Sequence, residues 1–484
     1  MVQIPPVPLD RDAPTPLAVQ LADGLRSAAA DGTVRPGDRL PSTRALATAF
    51  RVSRTVTAAA YDQLLAEGWV AGRVGSGTYV TAIPAEMQRT GAGRSTSPAE
   101  PHLGEGGAGA APAAPVQRAG DAEPGAYELD PGRPCVAALD RGMWRRAWRA
   151  AADPAPDDRP EPDGLTGFRA TVAEHLLRHR GLPAGSDDVL ATAGTSAAVA
   201  ELARLLPPGA TVAVEEPGYR RAVTALRAAG CVIAPVRVDD DGLVVDDIPA
   251  GCAAVYCTPA HQFPLAVRMA AARRVALIER ARVEDLLVIE DDYDGELRYD
   301  VAPLPLLVAL APERVVHLGT ASKIISPTLG AGWAVAPEPV RAAWRELRAD
   351  TGTRPSPAGQ RVFTALAGHG DLSRHLRRLR RELGARRRLV LAAAARAGWR
   401  AHGDPAGAHL VLRPPATDRR TEPALVAEAA GRGVAVRGLA TFHDGPPRTS
   451  GLVVGYAAGS RDDVVTALER LLPGGSAARP DPGG

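Results

Sequence analysis

The feature that most constrains this chain is a lysine placed shortly after an apolar run. Residues 315–318 have the composition of a buried strand, and residues 319–327 then hold one lysine, Lys323, among small hydroxyl and apolar residues. This arrangement predicts a lysine at the point where the edge of a sheet meets a loop. Because partial burial lowers the proton affinity of a lysine, such a group can act as a nucleophile toward a carbonyl.

Hydroxyl groups and a carboxylate extend this pattern. Thr320 and Ser322 flank the lysine and are short donors of the kind that hold a phosphate. Upstream, residues 288–294 form an apolar run that ends in carboxylates and a tyrosine, and such a carboxylate can keep a pyridine nitrogen protonated. Together these residues predict a Schiff-base site for pyridoxal phosphate. An ordinary loop lysine explains the lysine stretch alone equally well, and the upstream run is what favours the cofactor site.

The composition excludes several classes of protein. The 484 residues carry a formal net charge of +2, which gives no bulk affinity for polyanions. The four cysteines lack the spacing of a zinc site, so we expect neither a metal nor a disulfide framework. The sequence has no signal-peptide pattern at its start and no apolar run of membrane-spanning length. We therefore expect a cytoplasmic protein of two or three domains, without a membrane partner.

The N-terminal part has the pattern of a compact helical unit that ends in a hairpin. Ser42 precedes a predicted helix over residues 43–50, and Ser53 precedes a second one over residues 54–67. Two short helices joined by such a tight turn are typical of a helix-turn-helix. A glycine-rich tip that includes Gly75 then separates two short apolar runs, as in a wing.

Such a unit predicts a DNA-binding surface. The second helix would enter the major groove N-terminus first, and basic residues concentrate between positions 35 and 54. A small helical module for protein interaction is the alternative that charge alone leaves open. The residues that we expect to contact bases or phosphates are Arg35, Arg39, Arg44, Ser53, Arg54, Thr55, Thr57 and Gly75.

Four stretches of this unit carry a family resemblance. In order and content they resemble the winged helix-turn-helix of GntR-type transcription regulators, and they comprise residues 37–44, 52–56, 67–69 and 75–80. The resemblance implies a domain over residues 1–81 that binds a double-stranded DNA operator. Residues 82–126 follow and are rich in Gly, Ala, Pro and Ser without apolar periodicity, which predicts a flexible linker.

After the linker, helical patterns alternate with apolar strands. This alternation predicts a mostly parallel sheet that binds ligands at the carboxyl ends of its strands. Gly194, Thr195 and Ser196 follow one such strand and open a helix, where free backbone N–H groups favour a phosphate. A plain helix cap is compatible with that role. Tyr219 lies in the turn after another strand, and His261 lies in the loop after a third.

The motifs of this second part resemble fold-type I aminotransferases. They resemble more closely the MocR subfamily of GntR regulators, in which a winged helix-turn-helix is fused to an aminotransferase-like sensor. The resemblance rests on residues 258–264, on residues 290–294 with Arg298 and Tyr299, and on residues 319–323, and it covers all but the linker and the tail. It implies an α/β effector-sensing domain over residues 127–473, and we expect the Pro/Gly-rich tail over residues 474–484 to be disordered.

The resemblance implies a role for each residue of the site. Lys323 matches the lysine that forms the Schiff base, and Asp291 matches the partner of the pyridinium nitrogen. Tyr293 and His261 match groups that approach the ring hydroxyl, while Arg221 resembles a ligand of an effector carboxylate. Tyr219 matches the residue that stacks on the ring. The residues that match the phosphate cup are Gly194, Thr195, Ser196, Thr320 and Ser322.

Two positions depart from the family pattern. Gly330 stands seven residues after the lysine, where the family usually has an arginine that pairs with the cofactor phosphate, and Leu265-Ala266 replaces Thr-Gly. Loss of a charge-assisted contact costs about 1.5–3 kcal/mol, or roughly ten- to hundredfold in affinity. We therefore expect weakened cofactor binding, unless another arginine reaches the phosphate, and we expect no full transaminase turnover beyond a residual half-reaction.

A basic segment over residues 374–381 has two interpretations. Leucines at helical spacing give it one apolar face, with arginines around the rest: Leu372, Leu376, Leu379 and Leu383. We predict a solvated helix of the small domain, and a second surface that contacts DNA is the alternative.

These observations predict a transcription regulator that responds to pyridoxal phosphate and acts as a homodimer. Its effector would be the cofactor itself or an amino acid or amine that reacts with it. Two alternatives stay open: an aminotransferase with an accessory N-terminal module, and a regulator whose sensor pocket has lost its cofactor.

Overall fold

A computed structural model describes most of the chain. The described residues are 7–11, 17–30, 34, 38–66, 70–73, 77–80, 126–155, 158, 161–299, 305–368 and 370–473. The predicted linker, up to residue 125, and the predicted tail lie outside them, as do Arg35 and Gly75.

The N-terminal unit is a three-helix arrangement followed by a hairpin. Its elements are α1 (Leu17–Ala30), α2 (Thr43–Phe50), α3 (Arg54–Ala66), β1 (Val70–Arg73) and β2 (Gly77–Val80), and the two strands pair in antiparallel register.

Two serine caps set the starts of α2 and α3. The Ser42 hydroxyl accepts a hydrogen bond from the Ala45 N–H at 3.2 Å, and the Ser53 hydroxyl accepts one from the Val56 N–H at 3.2 Å. Arg51 ends α2 in the left-handed conformation, with φ of 53°. The predicted helix-turn-helix is therefore confirmed, and α3 ends at Ala66, one residue before the predicted end.

The larger part of the chain alternates helices with strands, as predicted. Its helices are α4 (Arg141–Ala152), α5 (Thr166–Arg180), α6 (Thr195–Ala203), α7 (Arg220–Ala228), α8 (Ala271–Val283), α9 (Leu307–Leu310), α10 (Ala321–Ile324), α11 (Glu338–Thr351), α12 (Pro357–Gly368), α13 (Asp371–Arg396), α14 (Glu422–Gly431) and α15 (Arg461–Leu471). Its strands are β3 (Tyr127–Glu128), β4 (Val189–Thr192), β5 (Thr211–Glu216), β6 (Val232–Asp239), β7 (Gly242–Leu243), β8 (Ala254–Cys257), β9 (Leu287–Asp292), β10 (Val315–Thr320), β11 (Gly332–Val335), β12 (Arg400–His402), β13 (His409–Arg413), β14 (Val434–Ala435), β15 (Arg437–Gly438) and β16 (Leu452–Gly455).

The main sheet has the strand order β4-β11-β10-β9-β8-β5-β6-β7. Its central strands from β10 to β6 are parallel, while β11 and β7 pair in antiparallel register with their neighbours. The strands are apolar on both faces because helices cover both sides, as expected for a parallel sheet. The predicted fold class, a mostly parallel α/β sheet, is confirmed.

A smaller antiparallel sheet follows in the C-terminal third, with the order β12-β13-β16-β15. The long helix α13 precedes it and contains the basic segment. Its leucine face is buried, as predicted, with Leu372, Leu376, Leu379 and Leu383 in the core. Among the described residues, no helix is long and apolar enough to cross a membrane.

Candidate functional site

Lys323 lies one turn beyond the carboxyl end of β10. It sits in the short helix α10, and its Nζ donates a hydrogen bond to the Gly132 carbonyl at 2.5 Å. Burial lowers the pKa of this ammonium group, while the nearby carboxylates of Asp294 and Asp291 oppose the shift and Arg221 adds to it. The structure thus places the lysine in the partly buried setting that the sequence predicts.

Asp291 is near the carboxyl end of β9, the strand parallel to β10. The register pairs it with Leu318, so it faces the same edge of the sheet as the lysine. The Tyr256 hydroxyl donates to its Oδ2 at 2.5 Å, whereas its Oδ1 is buried and has no hydrogen-bond partner among the residues that the structure describes. Burial raises the pKa of Asp291 to about 7, partly offset by Tyr256 and Lys323. The site therefore holds a carboxylate oxygen that lacks a donor.

A set of small hydroxyl groups lines the space beside the lysine. Gly194 adopts φ of 114° at the start of α6, and a Cβ there would lie 3.6 Å from Thr320 Oγ1 and 3.9 Å from Ser322 Oγ. The Thr320 hydroxyl donates to Ser322 Oγ at 3.0 Å, and Thr195 and Ser196 form the first turn of α6. The five residues predicted for the phosphate cup are thus brought to the start of α6 and the end of β10.

Tyr219 is joined to the cup by its hydroxyl. This hydroxyl shares a 2.9 Å hydrogen bond with Ser196 Oγ, and its ring meets Phe263 edge-on at 5.9 Å between centroids. Burial raises the pKa of the Tyr219 phenol, while its hydrogen bond to Ser196 and the neighbouring Arg221 lower it. Arg221 itself is exposed at the start of α7.

His261 and Tyr293 contact each other. The Tyr293 hydroxyl donates to the His261 carbonyl at 2.8 Å, and His261 Nδ1 bonds Asp294 Oδ2 at 2.9 Å. Burial lowers the pKa of His261 to about 3, so its ring is neutral near pH 7. Both predicted residues therefore lie in one hydrogen-bonded group that also includes a carboxylate near Lys323.

The sequence analysis missed His409, which comes to this group from β13. Its ring lies 4.8 Å from that of His261 between centroids, and burial lowers its pKa well below the usual value. Glycine at position 407 allows the segment before β13 to approach His261 and Asp294 closely. A Cβ there would lie within 2.5 Å of the His261 ring and of Asp294. The sequence feature that could have indicated this role is that His409 is the single polar residue in the otherwise apolar run 408–412.

Ligand atoms of His261, Asp294 and His409 lie within 4.8 Å of one another, a spacing that one metal ion could span. Because Asp294 Oδ2 is already bonded to His261 Nδ1, we interpret the three as a hydrogen-bonded cluster rather than as an ion site.

Glu215 was also missed, and it positions the loop that carries His261. At the end of β5 it accepts hydrogen bonds from the Thr258 N–H at 3.1 Å, from the Thr258 hydroxyl at 2.5 Å and from Gln262 Nε2 at 3.2 Å. Burial raises the pKa of Glu215 to about 7, against the lowering effect of these donors. A buried carboxylate with this many donors fixes the loop conformation.

A buried ion-pair network lies next to Asp291. Arg180 donates from two nitrogens to Asp292, at 2.7 and 2.8 Å, and His175 shares a 2.8 Å hydrogen bond with Glu296. These contacts tie α5 to the end of β9. Contacts with α5 therefore stabilise the backbone next to Asp291.

The predicted DNA-contacting residues divide into two groups. Those whose exposed positions on the N-terminal unit agree with the prediction are Arg39, Arg44, Ser53, Arg54 and Thr55. The prediction for Thr57 is wrong, because its side chain is fully buried between α2 and α3. Its hydroxyl donates to the Thr43 carbonyl at 2.9 Å and to the Arg54 carbonyl at 3.0 Å, so it stabilises the helix pair. Arg35 and Gly75 lie outside the described residues and stay predictions.

Two family models match the chain in consecutive regions. Residues 17–80 match the bacterial regulatory proteins of the gntR family, and residues 143–471 match the aminotransferases of class I and II. Full-length relatives share both regions. The chain is 33% identical over 474 residues to the pyridoxine biosynthesis transcriptional regulator PdxR of Corynebacterium glutamicum, covering 96% of this chain and 97% of that protein. It is 32% identical to the probable rhizopine catabolism regulatory protein MocR of Rhizobium meliloti, covering 93% and 92%.

The chain belongs to the MocR-type GntR transcription regulators. The predicted family and the predicted regulatory function are thereby confirmed, and the enzyme alternative is not favoured.

Solved structures agree with the fold of this MocR-type regulator. The kynurenine aminotransferase of Pyrococcus horikoshii superposes with a TM-score of 0.65 at 25% identity, over 72% of this chain and 90% of that enzyme. The aspartate aminotransferase of Thermus thermophilus superposes with a TM-score of 0.64 at 21% identity, over 72% and 91%. A class I and II aminotransferase fold implies binding of pyridoxal phosphate, and a GntR domain implies binding of DNA.

The residues present fit that cofactor. Asp291 offers a buried oxygen without a donor, as a protonated pyridine nitrogen requires, and a part-buried lysine faces the same edge of the sheet. Gly194, at the N-terminal end of α6, lies beside the hydroxyl groups of Thr320 and Ser322, and such hydroxyl and backbone donors suit a phosphate.

Proposed function

We propose that this regulator senses pyridoxal phosphate, held by Lys323 and Asp291, and converts its presence into a change in operator binding. The observation that carries the proposal is the buried Asp291 Oδ1, which lacks a hydrogen-bond donor. Its pKa is raised to about 7 by burial, so ionisation is costly without a cationic partner. A pyridinium N–H supplies both the missing donor and the missing charge.

When bound, the cofactor supplies an aldehyde that condenses with amines and a ring that withdraws electrons. The chain's own residues bind and orient it. Thr195, Ser196, Thr320 and Ser322 would offer hydroxyl or backbone donors to the phosphate. The Tyr219 ring would pack beside the pyridine. His261, in the loop that Glu215 fixes, and Tyr293, which follows β9, would approach the ring hydroxyl.

Arg221 is the residue that we assign to an effector. Its charge lowers the pKa of both Lys323 and Tyr219, which places the guanidinium within electrostatic reach of the lysine. An amino acid bound next to the cofactor would present its carboxylate to this arginine. The similarity to a pyridoxine biosynthesis regulator supports the cofactor itself as the first effector to test.

Gly330 is expected to weaken the cofactor site. It adopts φ of 54° in the turn after α10, and a Cβ added there would meet no atom within 4 Å. The position is thus open in space but has a backbone conformation that favours glycine. Without the arginine usual at this place, the phosphate relies on hydroxyl and backbone donors.

The linker over residues 82–126 would connect the sensor to the DNA-binding unit. We propose a cytoplasmic homodimer, in which two winged helices meet two half-sites of one operator. A ligand that binds one conformation of the sensor better than another shifts the balance between them, and DNA affinity changes with it.

An absorbance titration of the purified full-length chain with pyridoxal phosphate tests the cofactor site. We expect a visible band that borohydride makes irreversible and that Lys323→Ala abolishes, because only a lysine at that position can form the Schiff base. Arg377→Gln, at an exposed position of α13, is a control that should leave the band unchanged. A wild type without any band at saturating cofactor would establish the alternative of a sensor pocket that has lost its cofactor.

A further inference from the structure

A basic cavity lies beside the long helix α13. It has a volume of about 530 Å³ and opens between α13, the start of α15 and a turn of the segment that precedes α4. Four guanidinium groups and one carboxylate line it, from Arg378, Arg381, Arg386, Arg461 and Glu382, together with Ser460, Ala137 and Ala138.

The single carboxylate is already shared by two of the arginines. Glu382 Oε1 accepts a hydrogen bond from Arg386 Nε at 2.8 Å, and the same side chain forms an ion pair with Arg461. Arg386 is 2% exposed, and its remaining nitrogens donate to the carbonyls of Ala457 at 2.9 Å and Gly459 at 3.1 Å. Arg386 therefore stabilises the cavity wall and contributes positive charge. Its N–H groups already donate to Glu382 and to backbone carbonyls.

The other two arginines line the cavity without an ion pair to any residue that the structure describes. Arg378 Nη2 is buried without a hydrogen-bond partner, and Arg381 forms no ion pair with any residue that the structure describes. A buried guanidinium nitrogen without an acceptor is costly. An anion within the cavity would supply acceptors for both side chains.

We propose that this cavity binds a small phosphate-bearing anion through Arg378 and Arg381. The volume is in the range of small-molecule sites, and the planar guanidinium matches a phosphate through two parallel hydrogen bonds. The site goes beyond the cofactor function, because none of its residues belongs to the Lys323 site.

The surroundings favour a small anion over the backbone of duplex DNA. Asp462 and Asp463 are exposed in the first turn of α15, directly after the cavity residue Ser460. Asp463 Oδ2 accepts hydrogen bonds from the Ser460 N–H at 2.7 Å and from its hydroxyl at 2.8 Å, so this carboxylate is held at the rim. An extended polyanion laid across the surface would be repelled there, whereas a compact anion is enclosed by the arginines.

Isothermal titration of the full-length chain with inorganic pyrophosphate, at constant ionic strength, tests the proposal. We expect saturable binding that Arg378→Gln and Arg381→Gln each weaken by roughly tenfold or more, since each removes a charge-assisted contact. Arg377→Gln is the matched control, because Arg377 is exposed on the same helix but does not line the cavity. Ser322→Ala removes a donor of the phosphate cup and none of the cavity, so it detects pyrophosphate that binds in the cup instead.

Three outcomes would overturn the proposal. The first is an absence of saturable binding in the wild type. The second is equal affinity in all the arginine variants, or loss of binding in Ser322→Ala alone, which would locate the anion in the phosphate cup. The third is weaker operator binding in Arg381→Gln than in Arg377→Gln without any pyrophosphate binding, which would assign the surface to DNA. Because Arg381 is exposed, its variant keeps the test valid even if the Arg378 variant folds poorly.

Discussion

At the scale of single residues, Asp291 is the group that we propose to pair with the pyridine nitrogen of the cofactor. Its folded-state pKa of about 7 lies above the ordinary value of about 3.9 for an aspartic acid. Between these values the folded chain binds more protons than the unfolded chain. The free energy of unfolding of the cofactor-free protein therefore decreases as pH rises through this window. The decrease caused by Asp291 is complete above pH 7.

Asp291→Asn should stabilise the cofactor-free protein at pH 8, because the amide cannot ionise. We expect a gain in unfolding free energy on the order of 2–4 kcal/mol at pH 8 that shrinks to nothing near pH 4. Urea unfolding at several pH values, without cofactor, measures it. The same variant should bind pyridoxal phosphate more weakly, since it cannot pair with a pyridinium. A stability difference that does not change with pH would refute this account of Asp291.

Gly330→Arg should tighten cofactor binding by about tenfold, because it restores a charged partner for the phosphate. The positive φ of this position should reduce the unfolding free energy by about 1 kcal/mol. Gly330→Ala is the matched control, with the same backbone strain and no guanidinium, and its cofactor affinity should equal that of the wild type. Spectroscopic titration gives the affinities. Unchanged affinity in the arginine variant would mean that the phosphate has another partner.

At the scale of elements, α2 and α3 show how local signals build a DNA-binding surface. Caps at Ser42 and Ser53 fix where each helix starts, and the Thr57 hydroxyl ties the second helix to the Thr43 carbonyl of the first. As a result Arg54 stands exposed at the N-terminal end of α3, where a recognition helix meets base edges.

Arg54→Ala should weaken operator binding by about 1–3 kcal/mol and relax the preference at one position of each half-site, if the side chain contacts a base. Thr57→Val, three residues later in α3, should instead reduce the unfolding free energy by about 1 kcal/mol and leave the base preference intact. Binding to a panel of operator variants at several salt concentrations separates the two effects. An even loss across all sequences, with a salt slope lower by about one per half-site, would assign Arg54 to phosphate contact instead.

The sequence predicted these elements because their signals are local. Serine caps, the glycine turn at Gly194 and the strand before Lys323 each depend on neighbours within a few residues. The burial of Thr57 was not predictable in this way, because it depends on how α3 packs against α2. His409 and Glu215 were missed for the same reason, since β13 and β5 bring them to the site from distant parts of the chain.

At the scale of the whole molecule, the parallel sheet explains why the predicted site residues converge. Parallel strands end at one edge, so residues that follow β4, β5, β8, β9 and β10 meet there. Motif order alone was therefore sufficient to predict that these residues lie at one edge of the sheet, although not that His409 joins them. The anion cavity was not predicted, because it depends on the packing of α13 against the start of α15. From the basic segment, the sequence predicted only a helix with one apolar face.

We propose that ligand binding in the sensor is coupled to operator binding by the DNA-binding unit. Two distinct sites and a differential affinity of the ligand for two conformations are what such coupling requires. Lys323 is far from the predicted DNA-contacting residues in sequence, and it should influence DNA only through the ligand. Its removal should therefore leave the basal affinity for DNA unchanged.

The most direct test is fluorescence anisotropy of a labelled fragment from the region upstream of the protein's own gene, titrated with the full-length chain. Wild type and Lys323→Ala would each be measured with and without pyridoxal phosphate. We expect the ligand to change the operator affinity of the wild type by about fivefold or more. The variant should bind as the cofactor-free wild type does and show no response. An equal response in both proteins, or none in the wild type with Lys323 loaded with cofactor, would contradict the account.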